Sequence, residues 1–334
     1  MHLLFLLGLL LQTADSQSAV TGYAKDRDIS VQMKSSGNIR AVKLDQTSPN
    51  VLTGQYSIKA DETSKPVHLE IEKVTLEADR PVEDLLKDRG IRPNQSAESI
   101  FYDLNPEIAS WKRIPKGATL QVPAIKVENK ALGFGQTAIL QVDSSLKNNI
   151  GQETAKFRAA SNQFEAQGVG QDIPEIVQMS NQISADKVPL SHEGLVQVQK
   201  ELEFLNQLSG KSLTAEEVSK VRYVRDDLAI KVKSAKDERT DIPVRVRTLK
   251  GDGNELSHFV ICYAPVALYE PNTCEFSFPD QSSPTTKPLP VASYNLWAIK
   301  PGSAAAVSDI RKLEVRKISE KPLTTLDLTI LKPE

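Results

Sequence analysis

Few residues in this 334-residue chain could do acid–base, nucleophilic or metal chemistry, because it holds only four histidines and two cysteines. His2 lies in an apolar leader, which leaves His68, His192 and His258. His68 alternates with Val67 and Leu69, the position of a solvent-facing strand residue. His192 stands beside Glu193 without forming H-E-x-x-H, so the pattern of a zinc peptidase is missing. Ser209-Gly210-Lys211-Ser212 invites a phosphate-binding reading, yet a P-loop needs glycine where Leu205 stands, and Gly210 reads instead as a helix stop. Asp252, Asn254 and Glu255 lack the spacing of a calcium loop and read as a turn. With no G-x-S-x-G, no Cys/His dyad and no dinucleotide fingerprint, the chain reads as a non-enzyme that needs no metal and no cofactor.

Charge narrows the partners. Lys and Arg number 41 against 43 Asp and Glu, a net charge of −2, so no basic surface points to nucleic acid. Residues 3–11 form an apolar run too short to span a bilayer and of the length of a signal-peptide core. Ala14 and Ser16 supply the small residues that a signal peptidase reads, which places cleavage after Ser16, with Ser18 or Ala19 as alternatives. No cysteine follows the run, which disfavours a lipid anchor, and no second long apolar run marks an integral membrane protein. The expectation is an exported protein, periplasmic or secreted. In that oxidising setting Cys262 and Cys274 either pair across a short loop or remain two separate buried thiols.

The elements that must position these residues change along the chain. Residues 17–73 alternate without helical period, with strands expected at 29–33, 39–44 and 67–71. Residues 74–124 read strand, helix, helix, strand. A strand covers 74–77, a helix over 82–90 buries Val82, Leu85 and Leu86 and stops at Gly90, a second helix covers 97–104 and ends before Pro106, and a turn at 114–117 feeds a strand closing at Pro123. A bridge, 125–144, carries a strand at 138–142. The period turns helical over 145–239, predicting three or four helices in a hairpin or small bundle, with Ser191 as an N-cap and Thr214–Glu217 as a capping box. Charged residues on these helices read as a solvated face. From 240 to 334 seven short strands, among them 256–263, 266–269, 275–278 and 291–300, predict an antiparallel β-sandwich, with 251–254 a hairpin turn and 279–290 a loop. The whole is a multidomain α+β chain: signal peptide 1–16, β-rich segment 17–73, module 74–124, bridge 125–144, helical segment 145–239 and sandwich 240–334.

The module resembles the LysM family of glycan-binding domains. Asp79-Arg80-Pro81-Val82 stands where that family opens its first helix, Leu104-Asn105-Pro106 matches its Leu-Asn-Pro signature, and Ile114–Pro123 matches its closing Ile-x-Pro-Gly-x-x-Leu-x-Ile-Pro. The sequence departs from the family at the first loop, which lacks Gly-Asp, and at Lys116, where proline is usual. The resemblance implies a βααβ fold whose groove holds N-acetylglucosamine-containing chains between Asp79, Arg80, Pro81, Val82 on one side and Asn105, Pro106, Glu107, Ile108 on the other. Trp111 either walls that groove or caps the small core. The implied partner is peptidoglycan or a related glycan, with an envelope protein engaged by the remaining segments; the alternative is an assembly adaptor whose LysM-like fold makes protein contacts. Residues 289–302, around Tyr294 and Trp297, also resemble transthyretin-like, carboxypeptidase-regulatory-type sandwiches.

Overall fold

The computed structural model describes residues 28–35, 38–48, 51–56, 65–105, 108, 113–164, 168–235, 241–278, 281–316 and 324–331. The expected signal peptide, together with Pro106, Glu107 and Trp111 of the expected groove, lies outside the described residues. The fold is mixed α/β, and the chain divides into two compact units, residues 1–144 and 145–334. The expected segments 17–73, 74–124 and 125–144 therefore fall in one unit, and 145–239 with 240–334 in the other.

In the first unit, β1 (Ile29–Ser35) lies between β2 (Asn38–Lys43) and β10 (Thr137–Val142) in a three-stranded antiparallel sheet. A second sheet runs β3 (Asp45–Ser48), β4 (Val51–Tyr56), β5 (Lys65–Thr75), β8 (Thr119–Val127) and β9 (Lys130–Ala131). Between β5 and β8 come the two-residue strand β6 (Arg80–Pro81), helix α1 (Val82–Lys87), helix α2 (Gln95–Leu104) and the two-residue strand β7 (Arg113–Ile114). Strands β5 and β8 pair antiparallel from Val67↔Val127 to Thr75↔Thr119, so both helices lie in the crossover between adjacent strands. The strands expected at 67–71 and 74–77 merge into one strand that ends at Thr75, because β8 pairs with it continuously from Val67 to Thr75.

Apolar spacing explains where the helices sit. Val82, Leu85 and Leu86 of α1 and Ala97, Ile100, Phe101 and Leu104 of α2 share a core with Val31, Leu69, Leu120 and Leu140 from both sheets. Asn94 caps α2, accepting from Ala97 N at 2.8 Å, while its amide donates to Leu140 O at 3.0 Å. Gly90 ends α1 at φ +70°, and a β-carbon there would stand 2.7 Å from Leu132, so both backbone and space call for glycine.

In the second unit, α3 (Ser144–Ala159), α4 (Ser161–Phe164), α5 (Asp172–Ser184), α6 (His192–Gln207) and α7 (Ala215–Ala235) close on Ile150, Phe157, Ile176, Val198, Leu202, Leu205, Val224 and Leu228. The expected caps form: Gly194 N donates to Ser191 Oγ at 3.1 Å, and Thr214 and Glu217 exchange bonds of 3.2 and 2.8 Å. Gly210 stops α6 at φ +84°.

Two sheets follow. One orders β14 (Thr285–Pro290), β11 (Asp241–Leu249) and β17 (Thr324–Thr329); the other orders β13 (Phe276–Ser277), β12 (Val260–Pro265), β15 (Ala292–Ile299) and β16 (Arg311–Val315). Val244, Val246, Leu289 and Leu328 from the first share a core with Ile261, Tyr263, Tyr294 and Leu296 from the second. Three expectations fail. The expected all-antiparallel arrangement is broken by β17, which runs parallel to β11 from Val244↔Thr324 to Leu249↔Thr329. Residues 266–268 form a single 3-10 turn rather than a strand, directing Ala267 into the helical core. Residues 285–290, expected in a loop, form the edge strand β14, where Pro288 and Pro290 are tolerated because an edge leaves one row of donors unpaired. The helices do not stand apart from these sheets, since Ala267 packs into their core and Ile230 of α7 packs against the core between the two sheets. Cys262 and Cys274 form a disulfide, with α-carbons 5.4 Å apart, beside Trp297 and Tyr269.

Candidate functional site

Two places concentrate polar chemistry, one in each unit. In the first unit, the chain after β5 is held by its neighbours on all sides. Arg80↔Ile114 and Pro81↔Arg113 pair as β6 and β7, and Asp79 Oδ1 accepts from Lys116 N at 2.9 Å. Leu76 O accepts from Gly117 N at 2.8 Å, with Gly117 at φ +86°. Arg80 donates to Asp88 Oδ2 at 2.6 Å, fixing the loop to the end of α1. Asp79, Arg113 and Lys116 are exposed on this rim, with Arg80 and Pro81 half-buried.

The other groove residues among the described ones, Val82, Asn105 and Ile108, point inward. Val82 and Ile108 are buried in the core, and Asn105 is 1 % exposed. The Asn105 amide donates to Phe101 O and Gln121 O, both at 2.7 Å, and its carbonyl accepts from Gln121 N at 2.7 Å. These three bonds tie the end of α2 to β8, so Asn105 acts as a clip between helix and strand. The structure thus brings Asp79, Arg80 and Pro81 together on a surface and places Val82, Asn105 and Ile108 beneath it.

The second place was read from sequence as a solvated helix face, and the structure corrects that. Glu193, Gln197 and Glu201 recur at i, i+4 and i+8 along α6, while Asp227 and Lys231 are one turn apart on α7. Glu201 and Lys231 are wholly excluded from solvent, and Asp227 is 2 % exposed. Their neighbours Val198, Leu202, Val224 and Leu228 complete the apolar stripes that force this burial.

A chain of polar contacts extends from there onto the sandwich. Lys287 Nζ of β14 lies 2.9 Å from Glu193 Oε2 and donates to the Tyr263 hydroxyl at 2.6 Å; that hydroxyl donates in turn to Glu193 Oε1. The Tyr294 hydroxyl, with one proton to give, lies within hydrogen-bond distance of two acceptors, Gln197 Oε1 at 2.9 Å and Pro290 O at 2.8 Å, and Ser293 N donates to Asp227 Oδ1 at 3.1 Å. Burial first, and the Glu193 carboxylate second, push both tyrosine hydroxyls far above their ordinary range, so they stay protonated donors. Glu201 Oε1 stands 3.8 Å from Lys231 Nζ, within ion-pair range but beyond a hydrogen bond. Neither Glu201 oxygen, nor Lys231 Nζ, nor Asp227 Oδ2 has a hydrogen-bond partner among the described residues.

Sequence reasoning had one cue for this cluster. Glu201 follows Val198 by three residues and precedes Leu202 and Leu205 on one helical stripe, so it sits inside the apolar face rather than opposite it. Among the described residues no helix is long and apolar enough to cross a membrane. Compared with known proteins, the chain matches no family model and no curated protein.

Proposed function

We propose that this is a non-enzymatic, exported envelope protein whose residues 74–124 dock on peptidoglycan or a related N-acetylglucosamine-containing glycan, while the second unit engages another protein. The observation that carries the reading is the order strand, helix, helix, strand with its flanking strands paired antiparallel at Val74↔Leu120, the arrangement that the LysM resemblance implies. The rim of Asp79, Arg80, Pro81, Arg113 and Lys116 supplies charged and backbone groups at the end of the module where that resemblance places the sugar. Sugar hydroxyls and acetamido groups suit such a rim, and exposed Arg113 and Lys116 suit the carboxylates of peptidoglycan.

Sedimentation of the full mature chain with purified peptidoglycan tests the proposal. Co-sedimentation by the wild type and its loss in Arg80→Glu/Arg113→Glu are expected. A wild type that stays in the supernatant overturns glycan docking, and unchanged sedimentation of the double variant overturns the assigned rim.

A second reading, an assembly adaptor whose module makes protein contacts, is favoured by one observation. The module is not free-standing: β5 and β8 belong to a five-stranded sheet, and α1 and α2 share their core with β1 and β10. In that reading the rim presents a protein surface, and peptidoglycan leaves the chain in solution.

A further inference from the structure

The glycan reading makes no use of the buried charges of the second unit, and core packing alone does not account for them. Glu201, Asp227 and Lys231 amount to two carboxyls and one ammonium, all buried among Val198, Leu202, Val224 and Leu228. Fully ionised, the cluster would hold one uncompensated negative charge away from water, which costs several kcal/mol. A proton on one carboxyl removes that charge. The backbone decides which carboxyl holds it: Ser293 N donates to Asp227 Oδ1 and favours its ionised form, whereas both Glu201 oxygens lack a donor among the described residues.

We propose that the second unit carries a proton-operated latch, in which one proton held on Glu201 beside the Lys231–Asp227 pair locks α6 and α7 onto the sandwich, and release of that proton to solvent loosens the junction. The latch lies where the two layers meet, since Asp227 bonds the start of β15 and the ladder from Glu193 to Glu201 runs along the helix that faces Tyr263 and Tyr294.

The other charged groups around it are already engaged. On α6, Glu193 is held by Lys287 of β14 and the Tyr263 hydroxyl of β12. Gln197 is held by Tyr294 of β15. On α7, Asp226 pairs with Arg225 at 2.7 Å, and Lys312 of β16 lies over the Tyr223 ring, 4.9 Å from its centroid, one turn before Asp227. Asp241 of β11 accepts from Ser191 at 3.0 Å. Glu201 is left as the group whose charge changes. Burial, only partly offset by Lys231, lifts it from 4.5 to about 8, and burial raises Asp227 as well.

The sign follows from proton uptake on folding. An unfolded Glu201 loses its proton near pH 4.5 and the folded one near 8, so between these values unfolding releases a proton. The stabilisation is whole below pH 4.5 and is lost as pH rises through 8. The unfolding constant should therefore rise about tenfold per pH unit across this window and level off above it.

Urea unfolding of the full mature chain carrying Trp111→Phe, followed through Trp297 at pH 5.5, 6.5, 7.5 and 9, reads this slope. A constant that is flat or falls between pH 5.5 and 7.5 overturns the latch. Glu201→Gln, neutral and of the same shape, is expected to abolish the slope; a variant that folds and keeps it overturns the assignment to Glu201. If that variant does not fold, amide hydrogen exchange of the wild type decides. After correction for intrinsic base catalysis, amides of 192–207 and 215–235 should lose protection from pH 6 to pH 9 relative to those of β5, and an unchanged ratio overturns the proposal.

Discussion

Asn105 in the first unit and Glu201 in the second are equally hidden from water, yet they are opposites in how their polar atoms are used. The Asn105 amide makes three bonds of 2.7 Å to backbone groups that would otherwise be orphaned between α2 and β8. Glu201 has an ammonium at 3.8 Å and no hydrogen bond among the described residues. A neutral group that closes its own donors and acceptors contributes the same stability at every pH. An ionisable group left partly unsatisfied contributes stability that depends on its proton. Two buried polar sites of one chain thus play different parts: one fixes a helix on a strand, and the other sets a condition on the packing of two layers.

The largest effect that would break this contrast lies at Lys231. Lys231→Ala leaves Glu201 and Asp227 buried without a cation, and the second unit should lose about 4 kcal/mol at pH 7.5, read as a lowered urea midpoint. Glu201→Leu/Asp227→Asn/Lys231→Met removes all three ionisable groups at similar volume and leaves no buried charge behind. It should match or exceed the wild type, as buried ion pairs replaced by apolar groups often do. A triple variant as unstable as Lys231→Ala would mean that the ions hold the layers together by attraction, not by a proton.

Asn105→Leu comes next. It removes three hydrogen bonds and strands Phe101 O, Gln121 O and Gln121 N, a loss of about 3 kcal/mol in the first unit. Hydrogen exchange along β5 and β8 at pH 5.5 and 9 is the measurement. The loss should be equal at both values once intrinsic exchange is corrected, and a loss that varies with pH would erase the distinction between the two sites.

The sequence made some of this visible and hid the rest for physical reasons. Local chemistry was legible: Ser191 and Thr214–Glu217 cap their helices, Gly90 and Gly210 end theirs, and Asp252 Oδ1 accepts from Asn254 N in the expected turn at 251–254. The order strand, helix, helix, strand over 74–124 was legible too. What depended on remote partners was not. Strand β5 is long because β8 pairs with it from Val67 to Thr75, and 285–290 becomes a strand because β11 offers it an edge. Asn105 read as a groove residue because sequence cannot show that Gln121 waits across the core. Glu201 and Lys231 read as solvated because charge is the stronger local cue, and only the packing of α6 and α7 against a third layer removes their water.

The smallest effect bears on where the latch begins. Ser191 Oγ accepts from Gly194 N, capping α6, and donates to Asp241 Oδ1 of β11, so one hydroxyl both starts the helix and ties it to the sandwich. Ser191→Ala should cost about 1 kcal/mol, the usual loss of a helix cap, measured by the same urea titration. Ser191→Asp separates the two roles, because an aspartate caps as well as serine but would face the Asp241 carboxylate. If capping is the main role, Ser191→Asp restores the midpoint; if the tie to β11 matters more, it is less stable than Ser191→Ala. In either variant the dependence on pH between 5.5 and 7.5 should keep the wild-type slope, because the proton sits at Glu201, more than two helical turns further along α6. A changed slope would extend the titrating unit to the first turn of that helix and would make the junction a single electrostatic element from Ser191 to Lys231.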